Sequence, residues 1–110
     1  MKLPNAERAL VDEKKLREYC LNPIHPRGRH KARVFASALG IYQENADILR
    51  QALLIAAVRN EAVAGEHDKF GRRYMLDFEM IGPAGSASVR SSWIVLAGED
   101  CPRLTSCYVL

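Results

Sequence analysis

The spacing of apolar residues changes once along this chain of 110 residues, close to Ala64-Gly65. Before that point, apolar residues recur at three- and four-residue intervals, which is typical of helices that bury one face. After it, apolar and polar residues alternate, as they do in strands that bury one face. The change predicts a single α+β domain over residues 1–110, with helices first and an antiparallel sheet second.

Three helices are predicted in the first part. Asp12 is placed to cap a helix over residues 13–21, which ends at Asn22-Pro23 because the residue before a proline avoids helical geometry. A second helix covers residues 31–39 and stops at Gly40. Asn45 is placed to cap the third helix, over residues 46–62.

Three strands are predicted in the second part, around residues 73–80, over 87–96 and over 103–110, with turns at 82–85 and 98–102. Strict alternation along the last strand places Arg103, Thr105 and Cys107 on one face, and Leu104, Ser106 and Tyr108 on the other. An exposed last strand leaves homodimer formation by strand pairing open. The predicted fold is therefore about three helices followed by a three-stranded antiparallel meander.

Composition narrows the class of protein. A hydrophobic content of 48%, a charged content of 26% and a net charge of +3 describe a globular domain that can contact nucleic acid. No apolar run approaches the roughly 18 residues that span a bilayer, and the first residues lack the plan of a signal peptide, so we expect a cytoplasmic protein. Three cysteines without CxxC spacing predict reduced thiols rather than a disulfide framework or a zinc site. No metal or cofactor is expected.

Positive charge concentrates between His25 and Arg33, and no Asp or Glu occurs from Tyr19 to Gln43. Imidazole exchanges protons near neutral pH, and guanidinium and ammonium groups bind phosphates. The segment therefore predicts a site that binds a phosphodiester, with or without moving a proton.

Each candidate residue has a functional and a structural interpretation. His25 is the predicted base or acid, although it can equally fix a turn, and Thr105 with Arg103 is expected to reach the same phosphate from the last strand. Tyr108 and Trp93 are better explained as core residues. The predicted catalytic residues are His25, Lys31, His30 and Thr105, and the predicted phosphate-binding residues are Arg27, Gly28, Arg29 and Arg103.

The residues from Tyr19 to Phe35 fit the pattern Y-x-L-N-P-x-H-P-x-G-x-x-K-A-x-x-F. In this pattern the chain resembles a family of small bacterial domains that is associated with toxins. Its order of elements is also similar, more weakly, to the barnase, EndoU, colicin and RelE group of toxin ribonucleases. The resemblance implies a metal-independent ribonuclease of a toxin–antitoxin or polymorphic-toxin system, with RNA and a small antitoxin or immunity protein as partners.

Two other interpretations stay open. The chain can be a non-enzymatic module of a two-gene operon that binds nucleic acid or protein, or a domain that needs a partner to complete its site. For a ribonuclease, the sequence predicts that His25→Ala abolishes activity without changing thermal stability. A binding module would tolerate His25→Gln and fail on charge reversal at Arg27 and Lys31.

Overall fold

The computed structural model describes residues 1–110 and confirms that helices precede strands. Two of its three helices begin as α-helix and end as a wider π-helical turn. The three helices are α1, with α-helical residues Glu13–Lys15 and a π-helical turn Leu16–Cys20; α2, with α-helical residues Arg29–Val34 and a π-helical turn Phe35–Leu39; and α3, Ala46–Arg59. Single 3-10 turns cover Ala6–Arg8 and Gln43–Asn45.

The helix ends follow the capping residues with one exception. The side chain of Asp12 accepts a hydrogen bond from the backbone N–H of Lys14 at 2.9 Å, as expected for a cap. Gly40 ends α2 with a φ of 69°, in the left-handed region that glycine adopts without strain. Asn45 was expected to cap α3, but its side chain accepts from Tyr42 N–H at 2.6 Å and donates to the Gly40 carbonyl at 2.9 Å. It therefore fixes the turn before α3 rather than the helix end.

The sheet has four antiparallel strands in the order β1-β2-β3-β4, so the prediction of three strands is wrong by one. The strands are β1 Val63–Asp68, β2 Gly71–Gly82, β3 Gly85–Leu96 and β4 Arg103–Val109. All residues of β1 are exposed, so this strand has no buried face to impose an alternating sequence. Backbone pairing with β2 defines β1, and its sequence pattern does not.

A bulge in β4 changes which side chains share a face. The register runs from Ser92 opposite Ser106 directly to Trp93 opposite Leu104, which leaves Thr105 as the extra residue. Leu104 and Cys107 are consequently both buried. The predicted strict alternation along this strand is wrong, because it assumed an unbroken pleat.

The core lies between the helices and one face of the sheet. Trp93 is 1% exposed, and its indole N–H donates to the Ser91 hydroxyl at 2.9 Å. That hydroxyl donates in turn to the Leu76 carbonyl at 2.7 Å, so the one buried polar side chain is fully bonded. This confirms Trp93 as a core residue.

The edge of β4 is partly covered by the amino-terminal segment. Leu10 N–H donates to the Pro102 carbonyl at 2.9 Å, and Leu104 N–H donates to the Leu10 carbonyl at 3.0 Å. The more open edge of the sheet is therefore β1, at the other side. None of the helices is both long enough and apolar enough to pass through a membrane.

Candidate functional site

The side chain of His25 closes the turn that precedes α2. Its Nδ1 atom accepts hydrogen bonds from the backbone N–H groups of Arg27 and Gly28, both at 3.1 Å. A ring nitrogen that accepts a hydrogen bond carries no proton, so the proton of the neutral ring lies on Nε2. Through these contacts Nδ1 of His25 stabilises the turn. The other ring nitrogen, Nε2, has no hydrogen-bond partner in the protein and can bind a ligand.

Other residues of the same loop hold His25 in place. The rings of Tyr19 and His25 are stacked, with centroids 4.8 Å apart and 21° between their planes. Gly28 lies so close that a Cβ atom there would be 2.5 Å from the Tyr19 carbonyl oxygen. Asn22 donates to a carbonyl of α1 at 3.1 Å and accepts from Ile24 N–H at 3.0 Å. The geometry of this loop thus depends on local hydrogen bonds and on the ring stack rather than on burial.

We expect Gly28→Ala to lower the free energy of unfolding by about 1–3 kcal/mol, because the added methyl group overlaps the Tyr19 carbonyl. Gly65→Ala is a matched control, since the nearest atom to a Cβ there is 3.4 Å away. Urea denaturation of both variants measures the difference. A Gly28→Ala midpoint equal to the wild-type value would show that the loop can open without cost.

Lys31 reaches from the first turn of α2 to β4. Its Nζ atom lies 4.9 Å from the centre of the Tyr108 ring. Tyr108 is opposite Arg90 of β3, which is opposite Asp77 of β2. Arg90 binds the Asp77 carboxylate through two hydrogen bonds of 2.9 Å. We call Lys31, Tyr108, Arg90 and Asp77 the Tyr108 cluster.

In the Tyr108 cluster, Arg90 and Asp77 neutralise each other, whereas Lys31 has no negatively charged partner. Hydrogen bonds from Arg90 lower the pKa of Asp77, and hydrogen bonds to Asp77 and to Tyr108 raise the pKa of Arg90. This pair is therefore fully ionised at neutral pH. Lys31 has no carboxylate partner, so its positive charge is the unbalanced one.

Two buried thiols lie close to Lys31. The hydrogen bond from Cys107 lowers the pKa of the Cys20 thiol to about 7, and the ammonium groups of Lys15 and Lys31 act in the same direction. The same hydrogen bond, together with burial, raises the pKa of Cys107. The charges of Lys15 and Lys31 therefore act on the same thiol from two different helices.

Unpaired positive charge collects where α1, the loop after it and α2 meet. On the sheet, Arg73, Arg90 and Arg103 are each bound to a carboxylate. Six cations near the His25 loop have no such partner, and we call them the basic corner: Lys14, Lys15, Arg27, Arg29, Lys31 and Arg33. Unbalanced cations in one region attract a polyanion and increase its rate of encounter.

A cleft of about 490 Å³ opens beside His25. It is lined by two lysines of the basic corner, Lys14 and Lys15, by two carboxylates, Asp12 and Glu18, and by the rings of Tyr19 and His25. The two carboxylates offset the charge of the two lysines, so the cleft itself is not strongly cationic. The cleft lies between α1 and the side chain of His25.

The structure brings some predicted site residues together and separates others. Thr105 lies in the bulge, where its hydroxyl donates to the Ser92 carbonyl at 3.0 Å. Arg103 lies at the opposite end of β4 from Tyr108 and binds the Glu99 carboxylate at 2.9 and 3.0 Å. The expected approach of Arg103 to the His25 loop is therefore not found. The exposed residues that do remain near the loop are Arg27, Arg29 and His30.

Comparison with known proteins places the chain in a family. A family model described as "Domain of unknown function (DUF6883)" matches residues 2–110. The chain belongs to the DUF6883 family. The match includes both the His25 loop and the Tyr108 cluster, so the whole site is part of the DUF6883 domain. No curated protein matches it.

Among solved structures, the DUF6883 domain is similar to a chain of a "Contact-dependent growth inhibition toxin - immunity protein complex from Klebsiella pneumoniae 342". The two chains are 17% identical, with a TM-score of 0.71, and the match covers 94% of this chain and 95% of the other. At this identity, the likeness shows a shared fold.

Sequence reasoning did not select Asp77, Arg90 or Tyr108 of the DUF6883 domain as site residues. Asp77 and Arg90 lie opposite each other on the neighbouring strands β2 and β3. The alignment of both residues with Tyr108 depends on the register across three strands. The bulge at Thr105 then decides which face Tyr108 takes, and no local sequence signal predicts that bulge.

Proposed function

We propose that this chain is a toxin-like domain that cleaves RNA with its own side chains and without a metal ion. The observation that carries the proposal is the charge of Lys31, one of the cations of the basic corner, which lies over Tyr108 and has no carboxylate partner. The fold shared with a chain of a toxin–immunity complex supports the toxin context. The basic corner favours a polyanionic substrate over a neutral one.

The proposed reaction is transesterification of one phosphodiester. The 2′-oxygen loses its proton and attacks phosphorus, the bond from phosphorus to the 5′-oxygen breaks, and the departing oxygen takes a proton. The products are a 2′,3′-cyclic phosphate and a 5′-hydroxyl. Because the 2′-hydroxyl is the nucleophile, DNA is not a substrate.

Residues of the site divide this work according to their contacts. Lys31 stabilises the charge that develops on phosphorus, and Arg27 and Arg29 hold neighbouring phosphates. We assign proton transfer to His30 and to the Tyr108 hydroxyl, because His30 is exposed and Tyr108 lies under Lys31 and opposite Arg90. His25 positions the loop through Nδ1 and offers Nε2–H to a phosphate oxygen. Thr105 and Arg103 have structural roles in this scheme, since each is already bonded elsewhere.

The test uses purified protein, a labelled RNA oligonucleotide and the DNA oligonucleotide of the same sequence, in buffer containing EDTA. We expect cleavage of RNA alone, with cyclic phosphate ends that mass spectrometry identifies. Cleavage of the DNA, or activity that EDTA removes, would contradict the mechanism. Intact RNA with folded protein would contradict the activity itself.

The toxin context has a separate test. Induced expression of the chain in bacteria should arrest growth as RNA fragments appear, because the cytoplasm of the target cell holds the substrate. A small immunity or antitoxin protein should restore growth when it is expressed together with the chain. Normal growth with soluble, folded protein and intact RNA would remove the toxin assignment.

A non-enzymatic binding module is the second candidate, and the exposed strand β1 favours it. A strand with one unpaired edge can receive a strand from another protein, including a second copy of this chain. The commitment of His25 Nδ1 to backbone N–H groups also suits a site without proton transfer. RNA that is bound tightly but never cut would support this candidate over the ribonuclease.

A further inference from the structure

We propose that a cavity beside α2 binds one base of the RNA and selects guanine. The cavity has a volume of about 210 Å³, enough for a single purine, and lies between the end of α1, α2 and the 3-10 turn before α3. Its walls include the apolar side chains of Leu21, Pro23 and Ile41. This inference rests on the proposed function, because it adds a base-binding site to the phosphate site.

The rim of the cavity carries two groups that stack on bases. Tyr42 is 52% exposed although it lines a largely apolar cavity, and Arg33 of the basic corner lines the same cavity. Aromatic rings and guanidinium planes are the groups on which proteins stack unpaired RNA bases. An exposed aromatic ring at the mouth of an apolar cavity suits a flat ligand that enters it.

Two polar residues of the cavity, Gln43 and Glu44, offer acceptors, and Arg33 supplies donors. Glu44 is exposed and has no cationic partner, although Arg33 lines the same cavity. Gln43 donates its amide N–H to the Arg17 carbonyl at 2.8 Å, which leaves the amide oxygen as an acceptor. Two neighbouring acceptors match the edge of guanine, where N1–H and the N2 amino group are adjacent donors. Adenine and uracil each present an acceptor at one of these positions.

The cavity is also at the right place for a nucleotide whose phosphate lies at the basic corner. Arg33 lines the cavity, and Lys31 comes two residues earlier on the same helix. Residues two apart on a helix are separated by about 3 Å along its axis but by about 200° around it, so Lys31 points away from the cavity. Arg33 is therefore the cation of the basic corner that can bind the phosphate of a nucleotide whose base lies in the cavity.

The experiment measures binding without cleavage. Fluorescent 2′-O-methyl oligonucleotides of uracil, each with one central guanine or one central adenine, are titrated with the wild-type chain. We expect the guanine oligonucleotide to bind about tenfold tighter or more. Glu44→Gln should abolish this preference without weakening the adenine complex, and Tyr42→Ala should weaken both complexes. Glu7→Gln is the matched control, because Glu7 is exposed, unpaired and outside this cavity.

The outcomes test the guanine-binding cavity and the ribonuclease activity separately. Equal binding of guanine and adenine, or a preference that survives Glu44→Gln, would overturn the base site and leave the ribonuclease standing. Failure of the wild-type chain to bind either oligonucleotide would overturn both. Because Tyr42 and Glu44 are exposed, thermal denaturation should show that the variants remain folded.

Discussion

Lys31→Ala should lower the rate of RNA cleavage about 10²- to 10³-fold, the loss seen when one group that stabilises transition-state charge is removed. The contact between Lys31 and the Tyr108 ring is worth about 0.5–1 kcal/mol, so the variant should stay folded at the assay temperature. Initial rates on a labelled RNA oligonucleotide, with thermal denaturation of the same samples, measure the two effects separately.

Lys69→Ala provides the matched control for this prediction. Lys69 also lies over an aromatic ring, with Nζ 5.2 Å from the centre of Phe70, and it too lacks a carboxylate partner. It follows β1 and is far in sequence from the basic corner. We expect Lys69→Ala to cleave RNA at the wild-type rate. A Lys31→Ala variant that behaves like Lys69→Ala would place the phosphate elsewhere.

His25→Ala should destabilise the chain by about 2–3 kcal/mol, because two hydrogen bonds and one ring stack are lost together. The melting temperature should fall by about 10 °C or more. His25→Asn should recover most of this loss, because its amide oxygen can take the place of Nδ1. Thermal denaturation and cleavage rates of both variants are compared with the wild type.

These two variants distinguish a structural histidine from a catalytic one. If His25 acts by fixing the turn, His25→Asn keeps most of the cleavage activity as well as the fold. If the imidazole transfers a proton, His25→Asn folds normally and loses cleavage. A His25→Ala variant with an unchanged melting temperature would show that the hydrogen bonds at Nδ1 contribute nothing.

Much of the fold could be predicted because local signals determine it. Asp12 caps α1, Gly40 ends α2, and the change of period near Gly65 separates helices from strands. Strand β1 could not be predicted in this way, since an exposed strand needs no alternation. The bulge at Thr105 was equally hidden, because its existence depends on the partner strand.

The site was predicted in part, because only those of its residues that are neighbours in sequence give a local signal. Arg27, Arg29, His30 and Lys31 are neighbours in sequence, so their joint charge is visible without a structure. The hydrogen bonds of His25 Nδ1 change the expected effect of His25→Ala, because sequence alone gives no account of which ring nitrogen is occupied. Groups brought together across the sheet or around a cavity depend on tertiary contacts, and they appear only in the folded chain.

The topology of the sheet has a consequence for how the chain regains its structure. Each strand pairs with its neighbour in sequence, and only Pro83 and Ala84 separate β2 from β3. Contacts between nearby residues form fast, because little chain entropy is lost in closing short loops. The three thiols are free, so no covalent bond has to be made again after unfolding. We therefore expect the domain to refold rapidly after complete unfolding, without an oxidant.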